Sequence, residues 1–343
     1  MQFGSVKLDK SEGSILAHSI KLENLNIRKG TILSEKHIID LSNKGVKTVV
    51  VARLENGDIE ENKSAIIISE AFSNNSLILS KANTGRINIF SKHDGLLRYN
   101  FSSIINFNLI DEGIALSLLA QNSFVKKKQL IGTLKVIPYS LPKKTILQFG
   151  GFENLIIVKP FKQKKFSLIQ TSYSNIKKSF FEKTITETKK RVENLGGSLV
   201  DDIICEHNGK ELTSKIETII DKDIDILLIS CASAVSDRND ILPKSIMDLG
   251  GDIIHFGLPV DPGNLLILAS LNNKFLVGMP GCSRSPSLNG LDLILRMLTA
   301  EININKQIIA SLSVGGLLKD TRLRPFPRNK VKYTTKNAKN KKV

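Results

Sequence analysis

The stretch IDILLISCASAVSDRND, residues 224–240, passes from an apolar, β-branched run into small polar residues, and its surroundings define the fold class. An apolar run of that length bounded by a Ser-rich loop reads as a buried strand. Upstream of it lie FSLIQT (166–171), a helix with Phe181, Ile185, Thr188, Val192 and Leu195 on one stripe, SLVDDIIC (198–205) and ELTSKIETII (211–220). The first helix stops at Gly196 and Gly197. Strand, helix, strand, helix, strand is the pattern of parallel pairing with right-handed crossovers, so the region reads as an α/β sheet with its ligand groups at the carboxyl ends of the strands.

Downstream, Asp240 stands where a helix over Ile241–Leu249 needs its N-cap, and Gly250 and Gly251 stop that helix. DIIHF (252–256) and LLILA (265–269) read as strands, and Asn272 and Asn273 turn the chain into a further strand over Phe275–Met279 as a hairpin. His255, at a strand end, reads as a packed, hydrogen-bonded histidine.

Three loops follow from this arrangement and are expected to line one pocket for a phosphorylated ligand. The first offers Ser230, Ser233 and Ser236, then Asp237 and Arg238, with little side-chain bulk to block an anion from hydroxyls and backbone N–H groups. Asp240 closes it, either as the helix cap or as a carboxylate for magnesium. The second offers Pro262, Gly263 and Asn264, residues that turn formation alone also explains. The third, PGCSRSPSLN (280–289), brings Pro280, Gly281, Cys282, Ser283, Arg284 and Ser285 before a helix expected from about Leu288, so an arginine fork and helix N-terminal N–H groups can meet one phosphate. Cys282 has no histidine at short spacing to activate it and reads as a turn residue. Neither GxxxxGK[ST] nor GxGxxG occurs, which excludes a P-loop and a Rossmann dinucleotide fingerprint.

The first half reads differently. Ser34 is expected to cap a helix over Glu35–Asn43 closed by Gly45, followed by a strand over Lys47–Leu54 and a helix over Asp58–Phe72. Short strands at Arg86–Phe90, Leu96–Phe101, Gly113–Leu119 and Gln129–Tyr139 suggest a β-rich unit. The expected organisation is a small mixed unit over 1–75, the β-rich unit over 76–145, a Pro/Gly/Lys-rich linker over 146–164, the α/β domain over 165–318 and a basic, flexible tail over 319–343.

Composition sets the outer limits. The 343 residues are 41% hydrophobic, enough for disulfide-free cores, and the three cysteines form no CxxC pair or zinc spacing. The start, MQFGSVKLDK, has no signal-like apolar core and no run of about 18 apolar residues follows, so a cytoplasmic chain with no membrane partner is expected. The tail from Lys319 holds ten basic residues against one acid and so carries +9 of the net +16. Only Phe326 and Tyr333 accompany that charge, so nucleic acid is not the expected partner; an RNA-binding arm is the alternative.

The runs LLISCASAVSDRND (227–240), PVDPGN (259–264) and FLVGMPGCSRSP (275–286) resemble the molybdopterin-binding domain shared by molybdopterin adenylyltransferases of the MoaB/Mog type and MoeA-like molybdopterin molybdotransferases. The resemblance covers roughly 165–316, and RKGTILSEKHIIDLSNKGVKTVVV (28–51) is similar to a molybdotransferase segment. It implies a three-layer α/β sandwich with a mostly parallel sheet, molybdopterin as ligand or substrate, and magnesium and ATP as cofactors of an adenylyl transfer. Insertion of molybdenum is the related activity. Asp240 falls on the aspartate that ends the family's first loop, and Pro280 with Gly281 on its LPG loop. Cys231, Ala232 and Ser233 replace paired glycines, and His207 stands where a second acidic residue is expected. The alternative is a non-catalytic molybdopterin carrier working with a separate cytidylyltransferase; relatives of this kind are often homo-oligomers.

Overall fold

The computed structural model describes residues 1–173 and 177–318. The chain divides into two compact units, one built from 1–164 with 195–197 and 293–303, the other from 165–194, 198–292 and the residues from 304 onward. The expected basic tail over 319–343 lies outside the described residues.

In the first unit, Gln2–Lys7, Thr48–Arg53 and Ile15–Leu16 form an antiparallel sheet. The helix Glu35–Asn43 begins at Ser34, whose backbone N–H and hydroxyl both meet His37 Nδ1, at 3.2 and 3.1 Å. The expected helix over Asp58–Phe72 is shorter. Asp58–Glu60 pair as a strand with Ser140–Pro142, and Glu60 then accepts the Lys63 N–H to start a helix over Glu61–Glu70. The β-rich stretch likewise holds a helix, Phe101–Leu109, where a strand was expected to run on to Phe101. Asn100 accepts the Ser103 N–H and caps it. Two further sheets follow, one ordered 114–118, 130–136, 86–91, 77–79 and the other 124–125, 95–99, 156–160.

The composition that reads as a linker over 146–164 belongs to this unit's core instead. Ile156–Pro160 pair with Gly95–Tyr99, and Ile146, Phe149, Leu155 and Val158 are buried. The expected boundary at residue 75 is crossed by the same core, in which Phe72 and Phe149 both pack edge-on against Phe107. Composition misleads here because Lys and Gly at strand ends say nothing about the apolar residues between them.

The second unit is an α/β layered domain. Its elements are β1 (Lys165–Ser172), α1 (Lys178–Glu193), β2 (Ser198–Glu206), α2 (Gly209–Ile220), β3 (Ile226–Ser230), α3 (Ile241–Asp248), β4 (Asp252–Phe256), β5 (Ile267–Leu271), β6 (Lys274–Gly278), the first residues, 290–292, of α4 (Gly290–Thr299), and α5 (Lys306–Ser311). Six strands form one sheet in the order β2-β1-β3-β6-β5-β4. β2, β1, β3 and β6 are parallel; β5 is antiparallel to both of its neighbours. The β5–β6 hairpin turns on Asn272 and Asn273, both at positive φ, as the Asn pair implies.

Alternation along each strand decides which face meets which helix. Ile169, Leu227, Ile229 and Leu276 meet Leu212 and Ile216 of α2 and Leu242 and Ile246 of α3. Leu168 and Gln170 have the opposite parity, and Gln170 donates to the Phe181 carbonyl of α1. Helices thus cover both faces, and β3, paired in parallel on both sides, is buried along its whole length. The chain leaves β1 toward β2 on one side and returns to β3 on the other, so the topological switch lies between β1 and β3. No helix among the described residues is long and apolar enough to cross a membrane.

Candidate functional site

Because the sheet reverses its winding between β1 and β3, the carboxyl ends of these strands are where a sheet of this kind takes its ligand. Thr171 and Ser172 end β1, Ser230 ends β3, and the loop after Ser230 reaches across to Thr171. The peptide joining Cys231 to Ala232 is held from both sides. The Ala232 N–H donates to Thr171 Oγ1 at 2.9 Å, and Arg284 Nη2 donates to the Cys231 carbonyl at 3.1 Å.

Arg284 joins the first and third loops. Its Nη2 also donates to Ser230 Oγ at 3.3 Å, and its guanidinium carbon lies 4.3 Å from the centroid of the Phe180 ring. Its Nε is buried and has no hydrogen-bond partner among the described residues. Burial also draws the guanidinium below its ordinary pKa. A buried N–H without an acceptor is costly, and a ligand oxygen would satisfy it.

The third loop departs from its expected form. Gly281–Arg284 make a 3₁₀ turn, and helix α4 begins at Gly290 rather than near Leu288, with Asn289 accepting the Leu291 N–H. Ser283 and Ser285 therefore do not open onto a helix N-terminus. Their carbonyls instead accept from Arg191, which sequence reasoning missed. Arg191 of α1 is buried and uses all five guanidinium donors: Nε to Asp292 Oδ1 at 3.0 Å, Nη1 to the Ser283 and Glu187 carbonyls, and Nη2 to the Ser285 and Ser287 carbonyls. It follows Lys189 and Lys190 in the sequence, and no local signal sets it apart from them.

The second loop buttresses the third. Gly290 donates its N–H to the Pro262 carbonyl at 2.9 Å, and a Cβ on Gly263, at φ +133°, would lie 2.4 Å from the Gly290 nitrogen. Asn264 accepts the Leu258 N–H through its carbonyl and closes its own loop. Arg238 lies 5.7 Å from the centroid of Phe256 in β4. Asp237 accepts the Asn239 N–H, and Ser236 donates its own N–H to Asp240. Ser236, Asp237 and Arg238 are exposed. Pro280 accepts the Ser283 N–H, and Gly281 leaves room beside Arg284 Nη1.

Asp240 is the N-cap of α3. Oδ1 accepts the Ile241 N–H at 2.7 Å and Oδ2 the Ser236 N–H at 3.3 Å. Among the described residues, no group of three or more His, Cys, Asp or Glu could hold a metal ion. With both Asp240 oxygens bonded to the backbone, this donor set does not fit a resident magnesium ion.

His207 occupies the position beside Asp240 where an acidic residue was expected. It is buried, with Nδ1 2.7 Å from Thr171 Oγ1 and Nε2 3.0 Å from Ser233 Oγ. Tyr173 packs its ring against it with centroids 4.8 Å apart. Burial holds the imidazole below its ordinary pKa, with the Asp240 carboxylate opposing. The thiols nearby are inert: burial pushes Cys231 up to about 12, Cys205 to about 11, and Cys282 upward as well. A polar cleft of about 720 Å³ lies between α2 and α3, but none of the expected ligand-binding residues lines it.

A family model described as a domain of unknown function, DUF8806, matches residues 5–53, in the first unit. No curated protein matches. Among solved structures, the chain is similar to a molybdenum cofactor biosynthesis protein B, at 14% identity and TM-score 0.28, over 45% of this chain and 93% of that one. It is also similar to a molybdopterin biosynthesis MoeA protein from Pyrococcus horikosii, at 12% identity and TM-score 0.29, over 90% of this chain and 76% of that one. A molybdenum cofactor biosynthesis protein from Pyrococcus furiosus matches at 11% identity and TM-score 0.23, over 93% of this chain and 66% of that one. No residue role is carried across at that distance.

Proposed function

We propose that the second unit binds molybdopterin, by its phosphate, at the carboxyl edge of β1 and β3, as a protein of molybdenum cofactor biosynthesis. The observation that carries this reading is Arg284: its guanidinium is stacked on Phe180, tied to Ser230 and Cys231, and left with a buried Nε–H that has no acceptor among the described residues. A phosphate oxygen supplies the missing acceptor through a charge-assisted bond. The motifs PVDPGN and FLVGMPGCSRSP support the choice of a pterin phosphate over other anions.

The site's residues favour a carrier over an adenylyltransferase. Cys231, Ala232 and Ser233 stand in place of paired glycines, and both Asp240 oxygens accept backbone N–H groups. In this reading the protein holds molybdopterin for a separate cytidylyltransferase. Calorimetric titration of molybdopterin into the wild type and Arg284→Ala tests it, the variant binding about ten- to a hundredfold more weakly. Equal affinities would remove Arg284 from the site. Pyrophosphate release from magnesium ATP in the presence of molybdopterin would restore adenylyl transfer, and insertion of molybdate into an adenylylated ligand would indicate the molybdotransferase activity.

A further inference from the structure

Ser233, His207 and Thr171 come from three different strand ends and form a chain of contacts that ligand binding through Arg284 does not use. Ser233 Oγ lies 3.0 Å from His207 Nε2, and His207 Nδ1 lies 2.7 Å from Thr171 Oγ1. Thr171 Oγ1 accepts the Ala232 N–H and keeps a second lone pair for a hydrogen on Nδ1. Activation of Ser233 takes the Nδ1–H tautomer, in which Nε2 faces Ser233 as an acceptor. The loop bearing Ser233 is fixed just before it, by Thr171 at Ala232 and by Arg284 at Cys231. A hydroxyl, a base within hydrogen-bond reach and a third group orienting that base make up an activated nucleophile.

We propose that Ser233 is a nucleophile activated by His207 and oriented through Thr171, and that its electrophile is the phosphorus of a phosphoric ester or anhydride. The serine and imidazole assignment stands on the contacts above; the choice of an anionic electrophile rests on the phosphate-binding reading of Arg284. In the step, Oγ forms a bond to phosphorus as its proton passes to His207 Nε2. The bond from phosphorus to the leaving oxygen breaks with its electron pair, and that oxygen takes the proton from Nε2. Water, giving a proton to the same nitrogen, then displaces the phosphoryl group, and the proton returns to Oγ.

His207 is suited to this role because it remains neutral near pH 7. Burial lowers its pKa, and among the described residues Asp240 is the charged group that opposes the shift. Thr171, Ser233 and Tyr173 are its other contacts. The cysteines at the same edge are protonated thiols and do not compete.

The test uses the full chain and a fluorophosphonate probe, with adducts located by peptide mass spectrometry. A single adduct on Ser233 is expected, lost in Ser233→Ala, retained in Ser236→Ala, and formed at least about a hundredfold more slowly in His207→Gln. No adduct at Ser233, or equal labelling of His207→Gln, would overturn the proposal. If His207→Gln does not fold, the wild-type pH profile decides: labelling should fall with acid through one ionisation below pH 6.5, and a flat profile would overturn it. The class of electrophile is tested apart. Hydrolysis of p-nitrophenyl phosphate should drop in Arg284→Ala while fluorophosphonate labelling persists; equal hydrolysis would remove the phosphoryl assignment and leave the Ser233–His207 pair standing.

Discussion

Thr171 and Arg284 hold the two ends of one peptide group: the Thr171 hydroxyl accepts the Ala232 N–H at 2.9 Å while Arg284 donates to the Cys231 carbonyl at 3.1 Å. The trans peptide is planar, so fixing its donor on one side and its acceptor on the other sets the direction in which the chain leaves β3. Ser230 before it and Ser233 after it are thereby placed without help from a bound ligand. Preorganisation of this kind reduces the ordering entropy that binding must offset.

Replacing Thr171 with Val keeps the shape and removes the acceptor for Ala232 N–H and the partner of His207 Nδ1. Unfolding free energy should drop by about 1–3 kcal/mol, measured in urea. Fluorophosphonate labelling of Ser233 should slow as well, since the imidazole is free to rotate. A loss of stability with an unchanged labelling rate would leave Thr171 as scaffold alone.

Arg191 holds the third loop through three bonds to its carbonyls, at Ser283, Ser285 and Ser287, while its other two donors go to the Glu187 carbonyl and Asp292 Oδ1. Lysine brings a charge but three donors with no planar fork, so Arg191→Lys should behave nearly as badly as Arg191→Met. Both should lose about 3 kcal/mol or more of stability, because Asp292 and the loop carbonyls are left unpaired. Full rescue by lysine in a denaturation curve would contradict the shared hydrogen-bond role.

The pH dependence of stability follows from the depressed pKa of His207. The unfolded imidazole takes its proton near pH 6.5, whereas the folded one resists protonation to lower pH. Between these values the unfolded state binds more protons, so the contribution is fully present above pH 6.5 and is lost as pH falls through the folded pKa. The stability difference between wild type and His207→Gln should therefore shrink from pH 7.5 to pH 5. A difference that stays constant over that range would argue against a buried neutral imidazole.

Gly263 is the point at which the second loop meets the start of α4. At φ +133° and with a Cβ position 2.4 Å from the Gly290 nitrogen, Gly263→Ala should destabilise the protein by about 2 kcal/mol or more. Gly45→Ala, at φ +75° with open space around it, should cost less, about 1 kcal/mol. Thermal or urea unfolding of the two variants side by side checks the order.

Much of this architecture is legible in short-range patterns. The cap at Asp240, the Asn272–Asn273 hairpin and the alternating strands and helices over 166–230 appear where local propensity puts them. The helix Phe101–Leu109 was not legible, because its apolar residues follow a strand without a break and only Asn100 marks its start. Arg284 and the serines of the third loop were visible as polar residues in a loop, but the 3₁₀ turn that aims Arg284 at Ser230 was not.

By itself, the amino-acid sequence determined the α/β class of the second unit, the loops at its strand ends and the residue types offered there. These depend on capping, periodicity and turn chemistry, which act over a few residues. Only the tertiary structure decided which of those groups meet. Thr171 lies 36 residues from His207, His207 26 from Ser233, and Arg191 92 from Ser283. Strand order and the winding reversal between β1 and β3 close those distances, and both are set by long-range pairing and the burial of two sheet faces, which no local pattern records.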